Sequence, residues 1–307
     1  AYITLVTDAS YLPGVVALNH SIRKYGGKKS FIVLYTSNLS RDALIALQAI
    51  EQQNCSGNKM KLYHIQPLLP PDKHEIKLAD ARFADTWTKL KVFEPLVFDR
   101  YHTMLYLDAD MLVTCGTNID DIFEYAKDLP KYCIAAVHDC KCGIINPPGL
   151  HTLNCKENCV LSLQDPSSGS KATIIAGPGG RKGPISMGPV SSFNSGLFLF
   201  HPSWMLWESI NEYFYASSKL GEYSFPDQDF LVTFFQGRFA SIPWGWNAVK
   251  TMAYRHEGLW APDQVKIVHY IVDKPWAKAT HRGDKEVGFS GKDGPLHAAW
   301  WEAFEEW

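Results

Sequence analysis

An α/β fold on a mainly parallel central sheet is what this sequence predicts, and three observations predict it. Short apolar runs of strand length alternate with segments of helical period through the first third of the chain. The chain has 307 residues, 46% of them hydrophobic, enough for one large core. Acidic residues stand at the carboxyl ends of two apolar runs, Asp8 after the first and Asp108 after the fourth. Open parallel sheets bind ligands outside the carboxyl ends of their strands, where such residues sit.

The elements are read in order. Tyr2–Val6 has the form of a buried strand, and Pro13–Tyr25 of a helix with Val16, Leu18 and Ile22 among its apolar positions. Ser30–Tyr35 is a second strand. Ser40 is a suitable N-cap for a helix over Arg41–Gln53, whose Leu44, Leu47 and Ile50 share a face. Lys61–Ile65 is a third strand. Trp87–Phe98 has helical pattern in spite of Pro95, and Thr103–Leu107 is a short strand running into Asp108-Ala109-Asp110. The segment from Asp139 to Ser192 breaks the pattern with Gly, Pro, Ser and Cys; long irregular loops inside a domain usually serve function. Regular patterning resumes with a strand at Phe193–Phe200, helices at Trp204–Ser217 and Asp227–Phe235, and a strand at Val265–His269. Trp300, Trp301, Phe304 and Trp307 give the tail an amphipathic helical spacing. The expectation is a single catalytic domain over 1–307, with an irregular insertion at 139–192 and a Trp-rich helical tail at 294–307.

Composition narrows the function. Thirty basic against 32 acidic residues leave a net charge of −2, with no broad basic face for nucleic acid. No run approaches the roughly 18 apolar residues a membrane span needs. No charged segment followed by an apolar one marks a signal peptide, which favours the cytoplasm. The glycine fingerprints of dinucleotide-binding and P-loop proteins are missing, as is the nucleophile elbow of α/β hydrolases.

Leu105-Tyr106-Leu107-Asp108-Ala109-Asp110 carries the strongest chemistry. Two carboxylates one residue apart after an apolar strand supply hard oxygen ligands for Mn2+ or Mg2+, and a diphosphate can complete the shell. The bland alternative is a solvated acidic turn. His269 ends an apolar strand and suits the same ion, while Lys274 could neutralise charge on a departing diphosphate. Taken singly, these two read equally as a satisfied strand-end histidine and a surface lysine. Asp227 and Gln228 open a helix, where an acidic residue is also an ordinary cap. Asn194, Ser195 and Gly196 interrupt a strand-like run with small polar residues that admit a ligand or mark a bulge.

Together these segments resemble glycosyltransferase family 8. The order agrees from Thr7-Asp8-Ala9-Ser10-Tyr11 through Thr88-Lys89-Leu90, Asp108-Ala109-Asp110, Phe193-Asn194-Ser195-Gly196 and Asp227-Gln228-Asp229 to His269 and Lys274-Pro275-Trp276. Within the family the chain looks more like the galactinol synthases than like glycogenin. Asp139-Cys140-Lys141-Cys142 with a second cysteine pair, Arg255-His256, and Trp300-Trp301 are similar to segments of the plant proteins. The resemblance implies a retaining enzyme of GT-A-type, Rossmann-like fold with a UDP-sugar donor. By motif, Thr7, Asp8 and Tyr11 would contact uridine. Asp108, Asp110 and His269 would hold the metal, with Ala109 near the ribose. Lys89 would face the donor sugar or phosphate, and Asn194, Ser195, Gly196, Asp227 and Gln228 would surround the sugar. Lys274 would take the diphosphate, and Asp227, Gln228, Lys274 and Asn194 form the implied catalytic set. The implied reaction moves a hexose, galactose favoured, to a small polyol such as myo-inositol. A self-glucosylating protein like glycogenin, another family 8 transferase using UDP-glucose or UDP-N-acetylglucosamine, and a non-catalytic sugar-nucleotide binder are the rivals. A homodimer is compatible with the sequence. Two departures stand out: the His269–Lys274 spacing is short and lacks the family's usual glycine, and Cys155 and Cys159 are spaced one residue wider than in the plant proteins.

Seven cysteines are present. Cys140, Cys142, Cys155 and Cys159 could give tetrahedral Zn2+ ligation, with His138 or His151 able to replace one of them. Two disulfides, or free thiols packed as small apolar groups, are the alternatives.

Overall fold

The computed structural model describes residues 1–53, 60–71, 85–95, 100–140, 142, 159–164, 192–277, 283–288 and 291–307. Apolar runs at the expected positions form the central strands. β1 (Tyr2–Val6), β2 (Phe31–Tyr35), β3 (Met60–His64) and β4 (Met104–Leu107) are almost entirely buried apart from β3. Helices α1 (Leu12–Lys24) and α2 (Arg41–Gln53) connect the first three. Past β4 come β5 (Met111–Val113), β6 (Ile134–His138), β7 (Phe193–Phe200), α3 (Trp204–Ala216) and α4 (Pro226–Phe234). The chain continues through β8 (Phe239–Ser241), β9 (Ala248–Val249), α5 (Met252–Arg255), β10 (Ile267–His269) and α6 (Gly294–Glu305).

Seven strands form the main sheet in the order β3-β2-β1-β4-β7-β6-β8. The β1–β2, β2–β3, β1–β4 and β6–β8 pairs are parallel, whereas β7 runs antiparallel to both β4 and β6. A small second sheet, β5-β10-β9, begins where β4 ends. Helices cover both faces, so the strands are apolar on both sides, as sheets of this kind require. Side-chain alternation along β7 shows the division: Leu197 and Leu199 join the core that includes α1 and α6, and Phe198 and Phe200 join the other. That second core is aromatic. Phe93 stacks on Phe198 at 5.4 Å, and Trp87 meets Phe214 and Phe230 edge-on at 5.3 and 6.1 Å.

Several expectations need correction. The pattern at Trp87–Phe98 folds as a 3-10 helix over Thr86–Phe93, followed by Glu94 in an extended conformation just ahead of Pro95. Extended backbone before proline follows from the clash of its ring with the preceding residue. The apolar runs Met111–Val113, Ile134–His138 and Phe239–Ser241 are strands that periodicity did not single out; at three to five residues they are too short to show a period. Most of the 139–192 insertion lies outside the described residues. The tail does form a helix, α6, one face of which is anchored by Trp300, fully buried against Trp276 at 4.8 Å and Phe304 at 5.0 Å. Among the described residues, no helix is long and apolar enough to cross a membrane.

Candidate active site

The carboxyl ends of β1 and β4 adjoin, because the two strands are parallel neighbours with Tyr2 opposite Leu105. Asp108 leaves β4 there, its backbone N–H donating to the Gly196 carbonyl of β7 at 2.8 Å. Ala109 then turns the chain toward the second sheet. Its carbonyl lies so close to α1 that a Cβ on Gly14 would sit 2.3 Å from the oxygen, so this helix can seat the turn only with glycine there. Asp110 is held by a bond from the Tyr270 amide to its carbonyl, 2.9 Å, while β10 places His269 opposite Met111.

This junction brings three ligand atoms together. One atom each from Asp108, Asp110 and His269 lie within 4.8 Å of one another. His269 Nε2 is 3.3 Å from Asp110 Oδ1 and 3.8 Å from Asp108 Oδ2. Its Nδ1 is 2.9 Å from Asn247 Oδ1, and Asn247 Nδ2 donates to Asn194 Oδ1 at 2.9 Å. Asn194 Oδ1 also accepts the Gly196 N–H at 3.0 Å, and a backbone N–H can only donate. The orientations of both amides follow, so Nδ1 donates to Asn247 and Nε2 is the ring nitrogen that faces the two carboxylates. Among the described residues, buried Asp110 Oδ1 has no neighbouring donor apart from the His269 Nε2 it faces. Two carboxylates and an imidazole nitrogen facing one another across a few ångström are a donor set that fits a hard divalent cation of the Mn2+ or Mg2+ kind.

Two lysines flank this centre. Lys274 donates to the Asp110 carboxylate and, at 2.8 Å, to the Tyr270 carbonyl. Burial works to raise the Asp110 pKa, but the Lys274 ammonium and His269 hold it well below the usual carboxylate range. On the other side Lys89, 7% exposed, lies 2.6 Å from Asp227 and 3.1 Å from Asp108. Burial alone would lower its pKa; the carboxylates of Asp108 and Asp227 more than offset that and raise it. Asp227 also accepts from Ser195 Oγ at 2.9 Å. Gln228 is engaged at both ends of its amide, accepting the Ser195 N–H at 3.1 Å and donating to Asp139 at 2.9 Å.

The opening segment completes the pocket. Thr7 is half-buried at the end of β1, and exposed Asp8 caps the 3-10 turn Ala9–Tyr11 through Ser10 N–H at 2.8 Å. The Tyr11 ring stands 6.2 Å from Trp276 and 5.8 Å from Lys274 Nζ. Thus the motif residues from Thr7 to Lys274 collect at one end of the sheet. Asn194 and Gln228, read from sequence as catalytic, are tied into the framework by their side-chain amides, which suits positioning. Sequence reasoning missed Tyr106, whose hydroxyl donates to Asp108 at 2.6 Å, and Asn247, which fixes His269. Only the place of Asn247 just ahead of the apolar pair Ala248-Val249 could have pointed to it.

The loop after β10 is unusually constrained. Val272 adopts φ +64, a left-handed conformation that costs an L-residue roughly 1–2 kcal/mol. It lies in the short loop between His269 and Lys274, which has no glycine. The surroundings hold it: Lys250, fully buried, donates to the Asp273 carbonyl at 2.7 Å, to the Asp293 carboxylate, and to His297 at 3.2 Å. Burial and the Lys250 charge push His297 down to about 4, so near neutrality it is an uncharged acceptor for that ammonium. Trp301 Nε1 adds a bond to the Pro275 carbonyl at 3.1 Å. α6 therefore clamps the segment that presents Lys274.

Gly196 gives a direct test of this packing. A Cβ there would lie 2.4 Å from His269 Cε1 and 2.9 Å from Asn194 Oδ1. Gly196→Ala is expected to push the imidazole off its ligand position and weaken divalent-ion binding by at least about tenfold, the scale of a lost supporting interaction. Unchanged Mn2+ affinity, titrated by electron paramagnetic resonance, would show that the contact is slack.

Comparisons with known proteins agree with the geometry. The chain is 28% identical over 311 residues to galactinol synthase 4 of Arabidopsis thaliana, covering 100% of this chain and 81% of that protein. It is 29% identical over 289 residues to galactinol synthase 3 of the same plant, with 93% and 76% covered. Among solved structures, the galactosyltransferase LgtC in complex with donor and acceptor sugar analogues superposes with a TM-score of 0.61 at 17% identity, over 100% of this chain and 96% of that one. The glycosyltransferase GlyE of Streptococcus pneumoniae gives 0.58 at 18% identity; the match takes in 99% of this chain and 60% of that protein. These likenesses identify the fold as that of GT-A glycosyltransferases. The sequence model "Glycosyl transferase family 8" matches residues 2–280, nearly the whole length, and the chain belongs to that family.

Proposed function

We propose that this protein is a metal-dependent, retaining hexosyltransferase that moves galactose from UDP-galactose to a small polyol, with myo-inositol the favoured acceptor. The observation that carries the reading is the facing of His269 Nε2 and two carboxylates at the sheet junction, bracketed by Lys274 and Lys89. The similarity to galactinol synthases supports the donor sugar and the acceptor class.

Asp108, Asp110 and His269 would hold the ion, with Mn2+ preferred and Mg2+ the alternative. Bound there, such an ion supplies Lewis-acid stabilisation of the charge that develops on the leaving diphosphate. Tyr11 and Asp8 border the uridine side. Lys274 sits where it can trade its bond with Asp110 for the diphosphate as negative charge grows. Lys89 and Asp227 line the sugar side.

Retention requires an enzyme nucleophile or attack from the face the leaving group departs. Asp227 is the motif carboxylate without a metal role, yet its oxygen is bound by Lys89 and Ser195. An ammonium at 2.6 Å stabilises the carboxylate and blunts it as a nucleophile. Same-face attack is therefore the mechanism we assign, with Asp227 ordering Lys89 and Gln228 ordering Ser195.

A donor screen with Mn2+ tests the whole reading. UDP-galactose, UDP-glucose and UDP-N-acetylglucosamine are each supplied with and without myo-inositol. Release of UDP that depends on both UDP-galactose and myo-inositol, with a galactosyl-inositol product, is the expected result. Hexose accumulating on the protein without acceptor would point instead to self-glycosylation, and a hexose covalently held by Asp227 in mass spectra would overturn same-face attack.

A further inference from the structure

A second cluster of ligand atoms lies apart from the carboxylate site. Cys140, Cys142, Cys159 and His256 each offer one ligand atom, and all four atoms lie within 4.8 Å of one another. His256 Nε2 is 3.3 Å from Cys140 Sγ and 3.2 Å from Cys142 Sγ. Cys140 and Cys142 are buried and His256 is fully buried. Tetrahedral zinc, with Zn–S near 2.3 Å and Zn–N near 2.0 Å, sets sulfur and nitrogen about 3.6 Å apart and sulfurs about 3.8 Å apart. The two nitrogen–sulfur distances, 3.3 and 3.2 Å, lie within a few tenths of an ångström of that arrangement.

We infer that Cys140, Cys142, Cys159 and His256 form a structural zinc site of the three-cysteine, one-histidine kind. The set has four protein ligands and no oxygen, so it disfavours Mg2+ and Ca2+ and leaves no position for a substrate or water. A disulfide accounts for the cluster less well. It would join two sulfurs and leave the third over, and it gives no reason for an imidazole nitrogen 3.2–3.3 Å from two of them. Nor does the membership follow from spacing. His256 is 114 residues from Cys142 and comes from the end of α5, and its ligand role was not read from sequence. His138, at the end of β6, packs edge-on against Phe239 and is not in the cluster. Cys155 and His151 lie outside the described residues.

The location gives the site a purpose. Cys140 follows Asp139, the carboxylate that receives Gln228, and His256 lies nine residues beyond Asn247, which orients His269. A metal tie here would fasten the exit of β6 to the segment that carries β9 and α5. A crosslink there would restrict the separation of the two stretches.

The inference does not depend on the transferase reading. Elemental analysis of the full chain, purified without added metal, is the test. About one zinc per chain is expected in the wild type and in Asp110→Asn, falling at least about tenfold in Cys159→Ala and His256→Ala because structural sites need all their ligands. Should those variants fail to fold, the wild type exchanged with Co2+ is expected to show the intense visible absorption of tetrahedral thiolate-bound cobalt. Zinc-free wild type, zinc retained in full by Cys159→Ala, zinc lost from Asp110→Asn alone, or a disulfide among the three cysteines in non-reducing mass spectra would each overturn the assignment.

Discussion

Asp110→Asn is expected to abolish Mn2+-dependent binding of UDP and to lower turnover by at least about a thousandfold. Two losses coincide in this one change. On the proposed ligand set the ion would lose a charged oxygen and keep only Asp108 and His269, and divalent cations of this class prefer charged oxygen. The Lys274 ammonium, largely buried and bonded to the same carboxylate, loses its partner. Breaking a buried ion pair from one side generally costs about 3–5 kcal/mol, because a charge is left without compensation. Isothermal titration of UDP with and without Mn2+ measures the first effect, and thermal unfolding the second. UDP affinity that still rises with Mn2+ in the variant would remove Asp110 from the ligand set.

Lys274→Ala should separate turnover from affinity. In the protein as it stands Lys274 is held by Asp110 and by the Tyr270 carbonyl, so its charge is already compensated before substrate arrives. Its value grows as the diphosphate takes on charge, which is the condition for an effect on kcat. A fall in kcat of about a hundredfold to a thousandfold, with KM for the donor changed by less than about fivefold, is the expected pattern, since loss of one preorganised charge donor has that scale. Lys274→Arg should recover little, because a planar guanidinium does not reproduce a compact ammonium held by two acceptors. A rise in KM with kcat intact would place Lys274 in ground-state binding only.

Much of this protein could be read from sequence because most of its central strands are short, buried and largely apolar runs, and several motif residues stand at their ends. The convergence of Asp108, Asp110 and His269 was legible since β4 ends just before the two aspartates and β10 ends on the histidine. The parts that were not legible have a common cause. β5, β8 and β9 are two or three residues long and owe their pairing to neighbours distant in sequence, such as His269 with Val249. Asn247 and His256 act through partners 22 and 114 residues away, and nothing local to either marks the pairing. The left-handed turn at Val272 was legible only as a short loop without glycine; it persists where the buried Lys250 and the Trp-rich helix bond the carbonyls of Asp273 and Pro275 that follow it.

Asp139 has a consequence that reaches beyond its immediate neighbours. An ionised carboxylate can only accept, so Asn194, 3.5 Å away, must turn its nitrogen toward it and its oxygen away. That oxygen then selects the nitrogen of Asn247, whose own oxygen selects the protonated Nδ1 of His269. The choice of acceptor at Asp139 is therefore transmitted, one amide at a time, into which nitrogen of a histidine on another sheet is engaged by the framework and which is turned toward the carboxylates. Seen this way the polar floor of the site is a message with a direction. Asp139→Asn would alter no shape, yet it would supply an end that can both give and take, and the histidine would lose one of the two instructions, the other being the Gly196 N–H, that decide its tautomer.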